Sequence, residues 1–222
     1  MIGLTEDITD RKERDEFQKV LIGELQHRTR NLIAVVKAIA QQTMMTSATL
    51  DDFDSRFNQR LEALSRVQGL LSNSNQKPIT VGVLVGAELD ALGATGKRIA
   101  YGGSNILLRN RAAQTLALAV HELATNARKH GALANESGDL SVTWHIEAAP
   151  SRRLVLEWIE RGITPPPAGG NDPARRGYGR KLIERALPYT LSAQTRFELA
   201  ADRLHCTIIL PVAVEGGKEV IG

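Results

Sequence analysis

The sequence has few of the features that mark secreted, membrane-spanning or nucleic-acid-binding proteins. Its single cysteine, Cys206, excludes an internal disulfide and a multi-cysteine zinc site, so we expect a core residue in a reducing compartment. The longest apolar stretches, near residues 116–120 and 208–214, are too short to span a bilayer, and no signal-peptide core follows the N-terminus. The 28 Lys and Arg exceed the 25 Asp and Glu by too little for a nucleic-acid groove. We predict a soluble, cytoplasmic chain with neither nucleic acid nor membrane as a partner.

The first third of the chain has the apolar spacing of two packed helices. Residues 15–46 form the first helix and a run beginning near Phe53 the second, with Ser, Thr and Asp between them as caps. The recurring apolar residues are Leu21, Leu25, Leu32, Val35 and Ile39, then Phe53, Phe57, Leu64, Val67 and Leu71. We therefore predict a helical hairpin domain over residues 15–75. Its apolar seam favours a homodimer in which two hairpins form a four-helix bundle, and the alternative is a monomer that covers the seam with its own second domain.

Beyond the polar, turn-rich segment 72–78, short β-type runs alternate with helical ones. This pattern predicts an α+β protein overall, with an α/β sandwich domain over residues 78–214 in which helices cover one face of a sheet. We predict that residues 1–14 are a charged connector and that residues 215–222 are a tail. The β-type runs are 98–101, 140–147, 154–160, 195–199 and 204–212, and the helical runs are 83–92, 112–130 and 181–187.

A histidine on the first helix is the first candidate for chemistry. At 100° per residue, His27 projects away from the predicted apolar seam and should face solvent. Glu24 and Asn31 lie about one turn away on either side and suit an imidazole nucleophile whose tautomer is fixed by its neighbours. An ordinary surface histidine is the alternative, so the hypothesis requires a phosphoryl donor elsewhere in the chain.

The segment AVHELATNARKHGAL, residues 119–133, predicts a helix with one apolar and one chemical face. The chemical face contains Glu122, Asn126, Lys129 and His130. The amide oxygen of Asn126 suits Mg²⁺, the Glu122 carboxylate could hold water or a proton, and Lys129 could offset phosphate charge. A solvated polar face remains the alternative.

Two further segments suit a nucleotide. In WIERG, the strand-end carboxylate of Glu160 could accept the exocyclic amine of adenine, and Gly162 would let a flat base approach the backbone. In RRGYGRKLIERAL, glycines precede a helix whose N-terminus could bind phosphates. The phosphate candidates in this segment are Arg175, Arg176, Gly177 and Gly179.

In this order, the segments resemble the sensor histidine kinases and specifically the HWE family, over about residues 24–211. HRTRN is similar to the phosphoacceptor motif and HELATNARKHGAL to the N box, while RRGYGRKLIERAL is similar to the second glycine box. The family's defining residues correspond to His121, Trp158 and Glu160. In addition, GLTEDITDRKE resembles the end of a PAS sensor domain, which would lie upstream in a longer chain.

The resemblance implies that His27 accepts phosphate, that Asn126 binds magnesium with Glu122 as a helper, and that Gly177 and Gly179 contact phosphates. It implies ATP and Mg²⁺ as cofactors and a response regulator receiver domain as partner. The chain departs from the family pattern at His130, where Tyr is frequent, and at Ile163, where a second glycine is common. Arg28 follows His27, as is normal for HWE members, so the general base is open between Glu24 and a residue of the ATP domain.

The predicted function is ATP- and magnesium-dependent autophosphorylation of His27, followed by phosphotransfer to an aspartate of a response regulator. Two other functions fit parts of the pattern. One is a non-catalytic docking or phosphotransfer module, and the other is an ATPase of the same nucleotide-binding superfamily, which would not need His27. The sequence does not identify the stimulus, the cognate regulator, or transfer within one chain as opposed to between two.

Overall fold

The computed structural model describes residues 9–72, 79–93, 98–148, 151–163 and 182–222. The chain forms two compact units, residues 1–53 and 54–222. The first unit contains helix α1, Thr9–Thr46, and the start of helix α2, Leu50–Ser72. Helix α1 therefore begins before the predicted residue 15, and part of the predicted connector is helical, while residues 1–8 lie outside the described residues.

A reciprocal pair of caps starts α2, as the Ser, Thr and Asp content of the link predicts. The Thr49 hydroxyl accepts a hydrogen bond from the Asp52 amide at 3.1 Å, and the Asp52 carboxylate accepts one from the Ala48 amide at 3.2 Å. The first bond satisfies an amide donor that the first turn of a helix leaves without an intrahelical partner, and the second holds the residues just before the helix. The boundary between the two helices is thus determined locally by a few polar residues.

The second unit contains a five-stranded sheet with the strand order β1-β3-β4-β6-β5. Strand β1 runs parallel to β3, and all other neighbours in this sheet are antiparallel. In the central register Trp158 lies between Val142 and Cys206. The strands are β1 (Ile99–Gly103), β3 (Asp139–Glu147), β4 (Arg153–Arg161), β5 (Gln194–Leu199) and β6 (Arg203–Pro211).

Helices cover one face of this sheet, which confirms the predicted α+β architecture. Helix α3 (Val81–Ala91) packs against β1 and against α4 (Asn110–His130), and α4 packs against the short α5 (Leu187–Leu191). A π-helical turn, Leu182–Ala186, precedes α5, and a 3₁₀ turn, Ala132–Ala134, follows α4. Alternate residues of the central strands point into the core, as expected for a sheet with one covered face. Cys206 is among these buried residues, as predicted.

A second, three-stranded sheet has the order β2-β8-β7. Its strands are β2 (Leu107–Leu108), β7 (Ala213–Glu215) and β8 (Lys218–Ile221), of which β2 and β8 are parallel. Residues 215–222, predicted as a tail, therefore contain a paired strand, and its Ile221 side chain is only 1% exposed. An ion pair from Arg109 to Glu215 of β7 and a hydrogen bond from the Arg109 amide to the Ile221 carbonyl of β8 join this sheet to the start of α4.

The division into compact units falls inside α2 and not at the predicted boundary near residues 75–78. Residues 54–72 of α2 belong to the same unit as the sheet. The reason is that arginines of α2 form ion pairs with carboxylates of α3 and α4. Among the helices that the structure describes, none has the length and apolarity needed to cross a membrane.

Candidate functional site

Helix α4 has the two faces that the sequence predicts. Leu116, Val120, Leu123 and Ala127 are fully buried or nearly so, whereas Asn126, Lys129 and His130 are exposed. Because these three polar residues lie within about one turn of one another, their side chains can act on the same ligand. The polar face of α4 is therefore available for binding.

This polar face lines a cleft whose other wall is α2. The cleft has a volume of about 60 Å³. Its lining residues are Arg56, Gln59 and Arg60 of α2 and His121, Glu122, Thr125, Asn126, Lys129 and His130 of α4. The sequence analysis missed the α2 residues, although their spacing of three and four places them on one face of a helix.

The residues of the cleft fit a magnesium ion that is bound together with phosphate groups. The amide oxygen of Asn126 and the carboxylate of Glu122 are the hard oxygen donors that Mg²⁺ prefers. Arg56, Arg60 and Lys129 place cationic side chains in the same lining, where Arg60 is paired with Glu122, and such side chains suit a site for phosphate groups.

A buried polar atom in the cleft supports the same assignment. The Thr125 hydroxyl oxygen is buried and has no hydrogen-bond partner among the residues that the structure describes. Buried hydroxyls are normally satisfied by protein, water or ligand, so this oxygen is suited to a bound water or a ligand oxygen. Within the described ranges, no group of three His, Cys, Asp or Glu side chains could hold a metal. A metal at Asn126 would therefore take most of its other ligands from phosphate and water.

The described lining is only part of the predicted site. Of the predicted phosphate contacts, Arg175, Arg176, Gly177 and Gly179 lie outside the described residues. The described cleft brings together Glu122, Asn126, Lys129 and His130 of the predicted site.

Glu122 differs from its neighbours on the polar face because it is almost completely buried. Its Oε1 atom accepts a hydrogen bond from Nε of Arg60 at 2.7 Å, and the two side chains are 12% and 3% exposed. The adjacent His121 is also buried, and its Nδ1 lies 3.1 Å from Oε2 of Glu88 and 3.2 Å from Nη2 of Arg66. The sequence predicted neither the Arg60–Glu122 pair nor the contacts of His121, because these interactions link helices that are distant in sequence.

The Trp158 and Glu160 side chains form one hydrogen-bonded unit on β4. Residues two apart on a strand lie on the same face, and here the Trp158 indole N–H donates to Oε1 of Glu160 at 2.9 Å. Both side chains are buried, at 0% and 1% exposure. A buried indole N–H requires an acceptor, so the spacing of these two residues has a direct structural reason.

Glu160 also determines how α4 ends. Its Oε2 atom accepts a hydrogen bond from the Ala132 amide at 2.9 Å, just beyond the last residue of α4. Desolvation raises the pKa of the Glu160 carboxyl, although the bonds from Ala132 and Trp158 act in the opposite direction. Each oxygen of the Glu160 carboxylate has a further lone pair, so these bonds leave room for the predicted contact with adenine. That contact stays a prediction.

Gly162 lies at the end of β4 in a conformation that favours glycine. Its φ is +71°, and an added Cβ would lie 3.0 Å from Cα of Gly138. Asn135 joins Gly162 to Gly138 by two hydrogen bonds. Its Nδ2 donates to the Gly162 carbonyl at 2.9 Å, and its Oδ1 accepts from the Gly138 amide at 2.7 Å. Ile163, at the position of a commonly expected glycine, is 5% exposed and fills the core.

The structure does not describe the surroundings of the predicted phosphoacceptor. His27 and Glu24 lie on α1, as predicted, and their side chains are outside the described residues. The predicted roles of these two residues therefore stay predictions. The described site consists of the α4 face, the α2 wall and the Trp158–Glu160 unit.

Comparisons with known proteins agree with this architecture. Residues 24–105 match the family model described as HWE histidine kinase. The chain is 33% identical over 218 residues to a blue-light-activated histidine kinase of Brucella ovis, and 30% identical over 217 residues to one of Brucella anthropi. These matches cover 97% of this chain and 44% and 43% of the relatives, so the chain spans less than half of their length.

Two solved structures share the fold. One is the Erythrobacter litoralis EL346 blue-light activated histidine kinase, with a TM-score of 0.58, 20% identity, and coverage of 86% of this chain and 58% of that one. The other is the histidine kinase domain of the same protein, with a TM-score of 0.53, 16% identity, and coverage of 90% and 94%. The match of residues 24–105 and the similarity of nearly the whole chain to the Brucella relatives relate this chain to the HWE histidine kinases, and the two solved structures share its fold.

Proposed function

We propose that this chain is the catalytic core of a sensor histidine kinase that binds ATP with Mg²⁺ and phosphorylates its own His27. The observation that supports this most directly is the cleft at the end of α4. There, Asn126 offers an oxygen ligand one turn from the Glu122 carboxylate, cationic side chains line the same cleft, and the buried Thr125 hydroxyl has no partner among the described residues. This combination suits a metal–polyphosphate group.

In the proposed reaction, a nitrogen of the His27 imidazole attacks the γ-phosphorus of ATP. An N–P bond forms, the bond from the γ-phosphorus to the bridging oxygen breaks, and ADP leaves with that electron pair. The imidazole gives up one proton, and the acceptor is Glu24 or a residue of the ATP domain. Bound magnesium supplies neutralisation of phosphate charge, while Lys129 adds a further positive charge at the same cleft.

The remaining nucleotide contacts follow the sequence predictions. Asn126 would provide the protein ligand to magnesium, His130 would contact the nucleotide, and Glu160 and Gly162 at the strand end would contact the adenine. The phosphate-binding glycines are Gly177 and Gly179, accompanied by Arg175 and Arg176. The burial of Glu160 supports a positioning role for its carboxylate at the end of α4 in addition to any contact with the base.

The partners are proposals of the same kind. A response regulator receiver domain would accept the phosphoryl group on an aspartate. The names of the Brucella relatives describe blue-light activation, which supports a PAS-type sensor domain upstream in the full-length protein. A homodimer is supported by large apolar side chains on α1, because Phe17, Leu25 and Ile33 are each more than 60% exposed in the single chain. The cytoplasmic location stays a prediction.

Incubation of the purified chain with magnesium and γ-labelled ATP tests the proposal. We expect a label that is labile in acid and stable in base, as for a phosphoramidate, and no label without the metal. His27→Gln should remove it, and an added receiver domain should take it up. Steady ATP hydrolysis without protein labelling, unaffected by His27→Gln, would support the ATPase alternative, and the absence of both reactions would support the docking module.

A further inference from the structure

Two arginines of α2 hold the helix that contains the proposed metal ligand. Arg60 donates from Nε to Oε1 of Glu122 at 2.7 Å. Six residues further along α2, Arg66 donates from Nη2 and Nε to the two carboxylate oxygens of Glu88 on α3, at 2.7 and 3.2 Å. Both carboxylates are buried, so each depends on its arginine for a compensating charge.

The second attachment extends to α4 through His121. Its Nδ1 lies within hydrogen-bond distance of both Glu88 and Arg66. His121 and Glu122 are consecutive on α4, and both therefore contact a group attached to α2. With a rise of about 1.5 Å per residue, the two arginines are separated by about 9 Å along α2. Attachment at two points with this separation determines the register of α2 relative to α4.

Glu122 also lines the cleft one turn before Asn126. Arg60 is 3% exposed and lines the same cleft, so little solvent competes with its bond to the Glu122 carboxylate. A carboxylate held by a rigid guanidinium loses the freedom to rotate away from the cleft. The orientation of Glu122 next to the proposed metal ligand is therefore determined by a residue of α2.

We propose that α2 completes the metal site, with Arg60 as a positioning residue that acts on phosphoryl transfer through Glu122. The Arg66–Glu88–His121 cluster maintains the helix register in which the Arg60–Glu122 pair forms. This inference rests on the proposed function of the cleft and assigns a regulatory path to it. A displacement of α2 along its axis would move Arg60 and so change the position of Glu122 next to the metal.

A double-mutant cycle on the full chain tests this proposal. The variants are Arg60→Gln, Glu122→Gln and the combination of the two, with Arg128→Gln, an exposed arginine of α4, as the matched control. The rate of autophosphorylation at saturating magnesium–ATP should fall at least about tenfold in Arg60→Gln, as is typical when a residue that orients a metal-site group is lost. Nucleotide affinity measured by calorimetry without metal should stay within about threefold, because the arginine acts through Glu122.

The decisive result is the behaviour of the double variant. If Arg60 acts through Glu122, the double variant should be no slower than Glu122→Gln alone, since the two effects share one cause. Effects that multiply would overturn the proposal, as would a normal rate in Arg60→Gln. Arg60→Lys, which keeps the charge, should recover part of the rate, and it keeps the test valid if Arg60→Gln does not fold. A wild-type chain that takes up no label would instead refute the proposed function itself.

Discussion

Gly131 should be intolerant of even the smallest side chain. It follows α4 directly, and its φ of −107° is accessible to any residue, so backbone conformation is not the reason. The reason is space, because an added Cβ would overlap Oε2 of Glu160 and lie 2.7 Å from Cα of Ala127. The first neighbour is a buried carboxylate held by two hydrogen bonds, and the second is backbone, so neither can move without cost.

The expected magnitude follows from the bonds that Gly131→Ala would break. Displacing Glu160 weakens its bonds from the Ala132 amide and the Trp158 indole, and hydrogen bonds to a charged group contribute about 1.5–3 kcal/mol each. Against this, alanine restricts the unfolded chain and stabilises the folded state by about 0.4–1 kcal/mol. If both bonds are lost, we therefore expect the free energy of unfolding to fall by about 2–6 kcal/mol.

Urea unfolding followed by circular dichroism measures this change. Gly102→Ala is the matched control, because Gly102 is an exposed residue of β1 with no atom within 4 Å of an added Cβ. Its stability should change by less than about 0.5 kcal/mol. Gly131→Ala should also lower the free energy of unfolding by less in a Glu160→Ala chain, because the overlap with the Glu160 side chain is then absent. Wild-type stability in Gly131→Ala would refute the reasoning about the Glu160 unit.

Three further predictions concern the site and its assembly. Asn126→Ala should abolish magnesium-dependent nucleotide binding in calorimetry, because it removes the proposed metal ligand. Its melting temperature should not change, because the Asn126 side chain is exposed. The control Asn58→Ala, at an exposed position of α2, should bind nucleotide normally. Burial raises the pKa of the Glu160 carboxyl, so the folded chain binds this proton more tightly than the unfolded chain does. The free energy of unfolding should therefore decrease as the pH rises from the ordinary carboxyl range through the raised pKa. Urea unfolding across this pH range should show a smaller decrease in the free energy of unfolding for Glu160→Gln than for the wild type. The same pH dependence in both chains would contradict the assignment of this effect to Glu160. When His27→Gln chains are mixed with Asn126→Ala chains, label on the Asn126→Ala chain would establish phosphoryl transfer between subunits. Light scattering should then report the mass of a dimer. The mass of a single chain would refute the four-helix bundle.

Much of the fold could be predicted because its elements depend on local patterns. The apolar spacing in α4 indicates which side faces the core, and the caps at Thr49 and Asp52 mark the start of α2. Alternation along the central strands similarly predicts the sheet. The small sheet of β2, β7 and β8 was not predicted, because β2 has only two residues and its pairing with β8 depends on chain segments far apart in sequence.

The sequence indicated the α4 residues of the candidate site, but neither its α2 residues nor its contacts. The polar face of α4 follows from helical periodicity, whereas the burial of Glu122 depends on Arg60, a residue 62 positions away in the sequence. Likewise, the sequence suggests a functional role for Trp158 and Glu160, and only the structure reveals the indole–carboxylate bond and the link to Ala132. Long-range ion pairs leave no periodic pattern, so sequence inspection does not find them.

Mapping the phosphorylated residue tests the central claim most directly. The chain has five histidines, so phosphopeptide mass spectrometry under neutral or basic conditions can distinguish them after incubation with magnesium and ATP. We predict a single phosphorylated histidine, His27, and full labelling in the matched control His145→Gln, which replaces an exposed histidine of β3. Phosphate on another histidine, or labelling that persists in His27→Gln, would contradict the account.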